Sequence, residues 1–444
     1  MQIKLPKKVA QILKQLKTAG YDAYIVGGCV RDILIAREPN DWDVTTSALP
    51  EDIQAVFPKS FYNNVFGTVG VPAEGEVIEV TTYRSDDKYT DKRHPEEIRF
   101  GVSLAEDLER RDFTINALAY DGEKVVDLFN GQTDLRAKII RAVGQPQERF
   151  NEDALRLLRA IRFASQLGYQ IEDQTWQAIK NQANGLKLVS AERVRDELLK
   201  ILDSDDPFKG FWLLKESGLL RIIMPELLPG VGLDQNKHHV YTVFFHSLLA
   251  MQYCASDDPL VKLAALLHDV GKPQTKGGFG VNATFYQHEY VSAKLAGRIM
   301  QRLKFPRTDI ERVTHLVRQH MFYYNIGEIT DAGVRRLIKR IGAEHLKDLL
   351  DLRIGDRMGS GCLKEKPFKL VELERRIEKV SQDPINTSML KIDGFRIMEL
   401  LKLKPSKAVG IILNALLEEV LEDPSLNTME YLEKRAIEIN KKIC

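Results

Sequence analysis

The chain lacks three things, and each absence removes a class of protein. It has no disulfide frame: four cysteines, Cys29, Cys254, Cys362 and Cys444, lie scattered through 444 residues without Cys-x-x-Cys spacing. Such thiols suit a reducing, cytoplasmic setting and argue against a secreted scaffold or a cysteine zinc site. It has no long apolar run approaching the roughly 18 residues of a membrane span, and its lysine-rich start lacks the apolar core of a signal segment. Secretion and membrane attachment are therefore not expected. It also has no charge bias, since 64 Lys and Arg face 63 Asp and Glu, a net charge of +1. Any contact with nucleic acid must rest on local basic patches. What is present, 44% hydrophobic and 29% charged residues, describes a globular chain with room for several domains.

The most informative stretch is 24–46. Tyr24, Ile25 and Val26 form a short apolar run that stops at Gly27 and Gly28. This reads as a buried strand turning into a helix, with glycines where backbone must approach a ligand. Backbone N–H groups at such a helix start, with Arg31 one turn in, suit a triphosphate. Asp41 and Asp43 follow. On a strand they would point to the same side, and two close carboxylates call for a cation between them, usually Mg²⁺. A phosphate-holding turn beside a two-metal carboxylate pair is nucleotidyl-transfer chemistry. In this order the two features resemble the class II tRNA nucleotidyltransferase and poly(A) polymerase family.

Around that stretch, a helix is predicted over 7–19, a short helix from Pro50 to Val56, and strands over 65–71 and 77–83 joined at Glu74 and Gly75. Glu79, on the second strand, is either a third carboxylate for the metals or an ordinary solvent-facing glutamate. Residues 84–99 are charged and almost without aliphatics, which predicts a mobile surface loop with nothing to pack. The segment resembles the flexible loop of enzymes that complete CCA, which argues against a CC-only enzyme. Arg110, Arg111, Asp112 and Phe113, running on to Thr114, Ile115, Asn116 and Ala117, match the family's next motif. Paired arginines opposite an acidic site neutralise a triphosphate or orient a sugar.

Residues 150–164 are strongly helical in pattern, with Asn151 as a candidate N-cap. Asp153 and Arg156, three apart, would be neighbours on one face. By the residues alone this is an ordinary ion pair; the resemblance implies that it reads the incoming base. A carboxylate accepts from the exocyclic amino group of cytosine or adenine while a guanidinium donates to the ring nitrogen. Uracil and guanine reverse both groups and leave them unsatisfied. Arg159 is expected to steady the Asp153 face or the phosphates. Arg162, further round the helix, belongs to the same nucleotide-binding set without an assigned contact. Another helix is expected from Ser190.

A second constellation lies downstream, where seven of the nine histidines fall between His238 and His320. His246, His268 with Asp269, His288, His320 and Asp356 resemble, in that order, the HD metal-dependent phosphohydrolase superfamily. Imidazoles and carboxylates from several helices make a divalent-metal site, implying Mg²⁺, Mn²⁺ or Ni²⁺. Gln287 stands before His288 where the resemblance leads one to expect glycine. Past Gly361 three lysine-rich helices are expected, over 367–380, 392–403 and 409–420.

The fold expected is α+β: a polymerase-beta-type nucleotidyltransferase head with a mixed sheet and helices, followed by an all-α neck, body, HD domain and tail. The divisions are head 1–147, neck and RNA-binding body 148–235, HD domain 236–362 and helical tail 363–444. The resemblance implies addition of CCA to the tRNA 3′ end from CTP and ATP, with two Mg²⁺ held by Asp41 and Asp43. The alternatives are an A-adding enzyme, a poly(A) polymerase, or an HD phosphohydrolase with a nucleotide-binding head. The sequence leaves the oligomeric state open.

Overall fold

A computed structural model of the chain describes residues 5–62, 67–89, 95–235, 240–322, 324–361 and 368–443. It folds into two compact units, Met1–Leu228 with Gln301–Phe305, and Pro229–Met300 with Pro306–Cys444. Among the described residues no helix is long and apolar enough to cross a membrane.

The first unit opens with the Lys7–Thr18 helix, which buries Val9, Ile12, Leu13 and Leu16, the stripe its spacing predicts. Its sheet takes strands β1 (Ala23–Val26), β2 (Asp43–Thr46), β3 (Phe61–Tyr62), β4 (Thr68–Ala73) and β5 (Glu76–Thr82). Beyond the separate pair β6 (Arg84–Tyr89) and β7 (Pro95–Phe100), it is completed by β8 (Leu118–Tyr120) and β9 (Val125–Asp127). The order is β3-β4-β5-β2-β1-β8-β9. It is a mixed sheet: β1 runs antiparallel to β2 and β8, while β2 and β5 are parallel. Glu74 and Gly75, both at positive φ (48° and 85°), make the tight turn between β4 and β5, the geometry that a two-residue hairpin favours.

The polar segment 84–99 departs from expectation. Instead of a loop, β6 and β7 pair antiparallel, Arg84 opposite Phe100 and Asp87 opposite Glu97; residues 90–94 lie outside those described. Composition reports the lack of a core but not backbone pairing, which needs none. The hairpin is also tied at its base, where Arg110 Nε donates to Arg84 O over 3.1 Å.

After the sheet the chain is helical. The expected single helix over 150–164 is two: Pro146–Glu152 and Arg156–Leu167. Asn151 is therefore inside the first helix, whose start is set by Pro146. Asp153 breaks the run with extended backbone (φ −138°, ψ 105°), and its Oδ1 accepts from Leu155 N over 3.0 Å. A short acidic side chain bonding its own backbone competes with the helix. The Arg156–Leu167 helix ends, as expected, at Gly168 in the left-handed region, and packs on Ala191–Leu202 and Pro207–Glu216.

In the second unit, the Val243–Gln252 helix crosses Leu346–Gly359 closely. A Cβ on Gly355 would lie 2.2 Å from Ala250 O, so glycine is what lets the two backbones meet. The tail helices Gly394–Leu401, Lys407–Glu422 and Met429–Ile443 form their own core around Ile397, Ile412, Leu416, Val420 and Leu432. The last of these helices was not among those expected. Arg335, buried, donates to Leu421 O and Glu422 O, satisfying carbonyls at the end of the second.

Candidate active site and metal centre

In the first unit β1 delivers Gly27 at φ 78°, a conformation side chains rarely adopt. A Cβ there would stand 3.0 Å from Arg111 Nη1 and 4.0 Å from Asp43 Oδ2. Gly27 thus keeps open the space between the acidic and basic walls of a cavity of about 700 Å³. All ten residues singled out by sequence for catalysis and nucleotide binding, Gly27, Gly28, Arg31, Asp41, Asp43 and Arg111 of the head with Asp153, Arg156, Arg159 and Arg162 beyond it, line it.

Asp43 begins β2, and Asp41 precedes the strand where an i, i+2 pair on it was expected. The parallel register sets Asp43 beside Glu79, placing both side chains on one face. Asp43 is open to solvent yet deep in the concavity. Burial raises its carboxyl, Arg111 opposes, and the negative Glu79 and Asp41 add to the rise. Clustered carboxylates that resist ionisation together, with oxygen donors only, fit a hard divalent cation such as Mg²⁺.

The cationic wall is held from behind. Fully buried Asp107 pairs with Arg110 at 2.7 Å and Arg111 at 3.2 Å. Asp112 pairs with Arg159 at 2.6 Å and accepts from the Asn116 amide. Burial would raise the Asp112 carboxyl, but Arg159 and Asn116 hold it down to about 2. Arg31 donates to Asn116 Oδ1 over 2.8 Å. Arg162 stands 4.3 Å from the Phe163 ring centre and 3.2 Å from Glu197, and burial first, then Arg159, lowers it to about 10.

Asp153 and Arg156 do not face each other as an intrahelical pair. Arg156 binds Glu152 at 2.5 Å, Arg149 O at 3.0 Å and Arg110 O at 2.8 Å, while Asp153 Oδ2 accepts from Arg193 at 2.7 Å. Arg159 pairs directly with Asp112 at 2.6 Å, and Asp153 lies close enough to add to the negative charge that stabilises its cation. Sequence reasoning passed over Asp107, Asn116 and Arg193. The first two lie in or beside the arginine motif, and the last shows as a cation at a helix start.

The second constellation converges in the second unit. Two triads, His246, His268 and Asp269, and Asp269, His288 and His320, each hold their ligand atoms within 4.8 Å of one another. Asp269 stands between them: Oδ2 is 3.3 Å from His246 Nε2 and 3.2 Å from His268 Nε2, and Oδ1 is 3.1 Å from His288 Nε2. Asp356 Oδ1 lies 3.2 Å from His246 Nε2. The Nδ1–H groups of His268, His288 and His320 donate to Ala265 O, Phe285 O and Val317 O over 2.6–2.7 Å. That orients each ring and turns its Nε2 inward. The Nε2 atoms of His246 and His268 lie 3.2 Å apart, and those of His288 and His320 3.3 Å apart, beside Asp269 and Asp356. Burial would lower His268, but Asp269 and then Asp356 raise it to about 10, and Asp269 and Asp356 raise His246 likewise. A divalent metal answers the same demand for positive charge, so the donor set fits one. Burial and the neighbouring His268 keep His320 well below the ordinary imidazole range, and therefore neutral. Lys272 Nζ, 2.5 Å from Asp269 Oδ2, is a neighbour that sequence reasoning did not single out. Gln287 has φ 60°, the left-handed backbone that explains an expectation of glycine.

Three family models match the chain. They are the poly A polymerase head domain over 23–141, the probable RNA and SrmB-binding site of polymerase A over 168–230, and the HD domain over 237–356. The first and third of these place a polymerase-type head domain and an HD domain in one chain. The chain thus carries a poly A polymerase head, an RNA-binding segment and an HD domain in one sequence, the arrangement that a resemblance to the class II tRNA nucleotidyltransferase and poly(A) polymerase family leads one to expect. It is 50% identical over 196 residues to a CCA-adding enzyme of Lactobacillus helveticus, covering 44% of this chain and 49% of that one. It is 48% identical over 210 residues to the CCA-adding enzyme of Geobacillus stearothermophilus, covering 47% and 52%. The matches thus span about half the length of these curated relatives. The crystal structure of a Bacillus stearothermophilus CCA-adding enzyme in complex with CTP matches with TM-score 0.77 and 28% identity over the whole of both chains. A Thermotoga maritima CCA-adding enzyme complexed with tRNA shares the fold at TM-score 0.58 and 19% identity. Both the head and the HD domain imply divalent-metal use.

Proposed function

We propose that the protein adds CCA to the 3′ end of tRNA from CTP and ATP, releasing pyrophosphate. The observation that carries this is the cavity in which Asp41 and Asp43 face the arginine wall, with Glu79 lining a smaller pocket that shares Asp43, Arg110 and Arg111 with it. The full-length likeness to a CCA-adding enzyme in complex with CTP supports it.

In this reading Asp41 and Asp43 hold two Mg²⁺, which when bound supply an acidified 3′ hydroxyl and neutralise charge on the leaving pyrophosphate. The turn at Gly27 and Gly28 with Arg31 and Arg111 holds the triphosphate. Arg159 and Arg162 complete the cationic wall. Asp153 accepts from the base amino group, and Arg156 donates to the ring nitrogen after giving up one of its present partners. The working divisions are head 1–147, neck and body 148–235, HD domain 236–362 and tail 363–444, in a protein of the cytoplasm. His246, His268, Asp269, His288, His320 and Asp356 form a separate metal centre for Mg²⁺, Mn²⁺ or Ni²⁺, suited to phosphate-ester hydrolysis.

The test is incubation of the full chain with Mg²⁺, tRNA lacking CCA and each labelled nucleotide separately. Incorporation of C from CTP, then A from ATP, is the expected result. Addition of A alone to tRNA ending in CC identifies an A-adding enzyme, and long A tracts a poly(A) polymerase. No incorporation with intact phosphatase activity leaves only the HD phosphohydrolase.

A further inference from the structure

Arg193 stands in the first turn of the Ala191–Leu202 helix, where a cation opposes the helix dipole. Local helix preference therefore does not account for it. Its Nη2 donates to Asp153 Oδ2 over 2.7 Å, while Leu155 N holds Oδ1 at 3.0 Å. Asp153 sits on extended backbone between two helices, so these two bonds fix its carboxylate where no helical turn does. Arg193 Nη1 is buried and without a hydrogen-bond partner among the described residues, and the side chain lines the same cavity as Arg156. Most buried N–H groups are paired, and a ligand in the cavity would supply the acceptor that this one lacks. Arg156 does not share the task, since its Nη groups bind Glu152, Arg149 O and Arg110 O.

We propose that Arg193 is a positioning residue for base selection, holding the Asp153 carboxylate oriented toward the base amino group. Fixed by the guanidinium at 2.7 Å, the carboxylate oxygens are presented as acceptors that attract the amino group of cytosine or adenine and repel a carbonyl. The inference rests on the reading of Asp153 as the base acceptor.

The test compares Arg193→Gln, close in shape but neutral, with Arg193→Lys, Asp153→Ala and wild type in the full chain. kcat/KM is measured for CTP and UTP on tRNA lacking CCA, and for ATP and GTP on tRNA ending in CC. Arg193→Gln should raise the UTP-to-CTP ratio about tenfold, the effect of one lost charged contact, with partial return in Arg193→Lys. If Arg193→Gln lowers all nucleotides equally while Asp153→Ala shifts the ratio, the role of Arg193 is overturned and that of Asp153 stands. If Asp153→Ala leaves the ratio unchanged, the acceptor reading itself fails, and the inference with it.

Discussion

Asp41 and Asp43 carry the sharpest residue-scale prediction. Alanine at either position should abolish nucleotide addition while leaving the circular dichroism spectrum and melting temperature close to wild type, since both side chains are exposed to the cavity. More than a few per cent of wild-type incorporation in both variants would remove the two-metal assignment. Asp112 makes a different prediction, about stability. Its folded value, about 2, lies below the ordinary 3.8. The stability it contributes is therefore complete above that ordinary value and is lost as pH falls toward 2. The shift corresponds to about 2 kcal/mol. Asp112→Asn should be less stable than wild type by that order at pH 7 in urea titrations. The gap should close as the titrations are repeated toward pH 2. A gap that stayed constant with pH would show that Asp112 acts by shape and not by charge.

At the scale of elements, the β6–β7 hairpin and the turn before His288 each make a claim. The hairpin's base is bound to the arginine wall through Arg84, Asp107 and Arg110, so a shift in the hairpin has a route to the site. Replacing 86–93 with a Gly/Ser stretch should leave product tRNA ending in CC when CTP and ATP are both supplied, as sequencing of product ends would reveal. Undiminished addition of the final A would reduce the hairpin to a surface connection. Gln287 holds a left-handed conformation that costs a residue with a side chain roughly 1–2 kcal/mol. Gln287→Gly relieves that cost against glycine's greater entropy in the unfolded chain, so thermal melts should show a variant equal to or slightly more stable than wild type. Gln287→Val, branched at Cβ, should be clearly less stable.

At the scale of the molecule, each compact unit holds its own chemistry, one rich in oxygen donors and arginine, the other in imidazole. Replacing His268 and Asp269 with alanine should abolish tight Mn²⁺ or Ni²⁺ binding in calorimetry and leave CTP incorporation within about twofold of wild type, as expected for sites with no shared partner. Asp43→Ala should do the reverse. Loss of both activities in either variant would mean that the centres are coupled. The helical remainder also shows the reach of pattern reading. The stripe of the Lys7–Thr18 helix, the start at Pro50 and the stop at Gly168 follow from local rules, which hold wherever a segment's own side chains decide its state.

By itself the sequence picked out the residues that the fold gathers at its two sites. Gly27, Asp41, Asp43, the arginines and the histidine series stand in ordered motifs, and the α+β head followed by helices is written in periodicity and turn residues. What only the tertiary structure decided is how those residues are partnered. Asp43 meets Glu79 because β2 and β5 are parallel and in register. Asp112 meets Arg159, and Asp153 meets Arg193, across 47 and 40 positions of chain. The break at Asp153 was illegible for a local reason: the helical pattern of 150–164 is intact, and a carboxylate that accepts from the backbone two residues on overrides it. Periodicity reports the face that a residue turns to its own element. A charged pair between elements depends on packing, and packing brings together residues whose separation in sequence carries no signal.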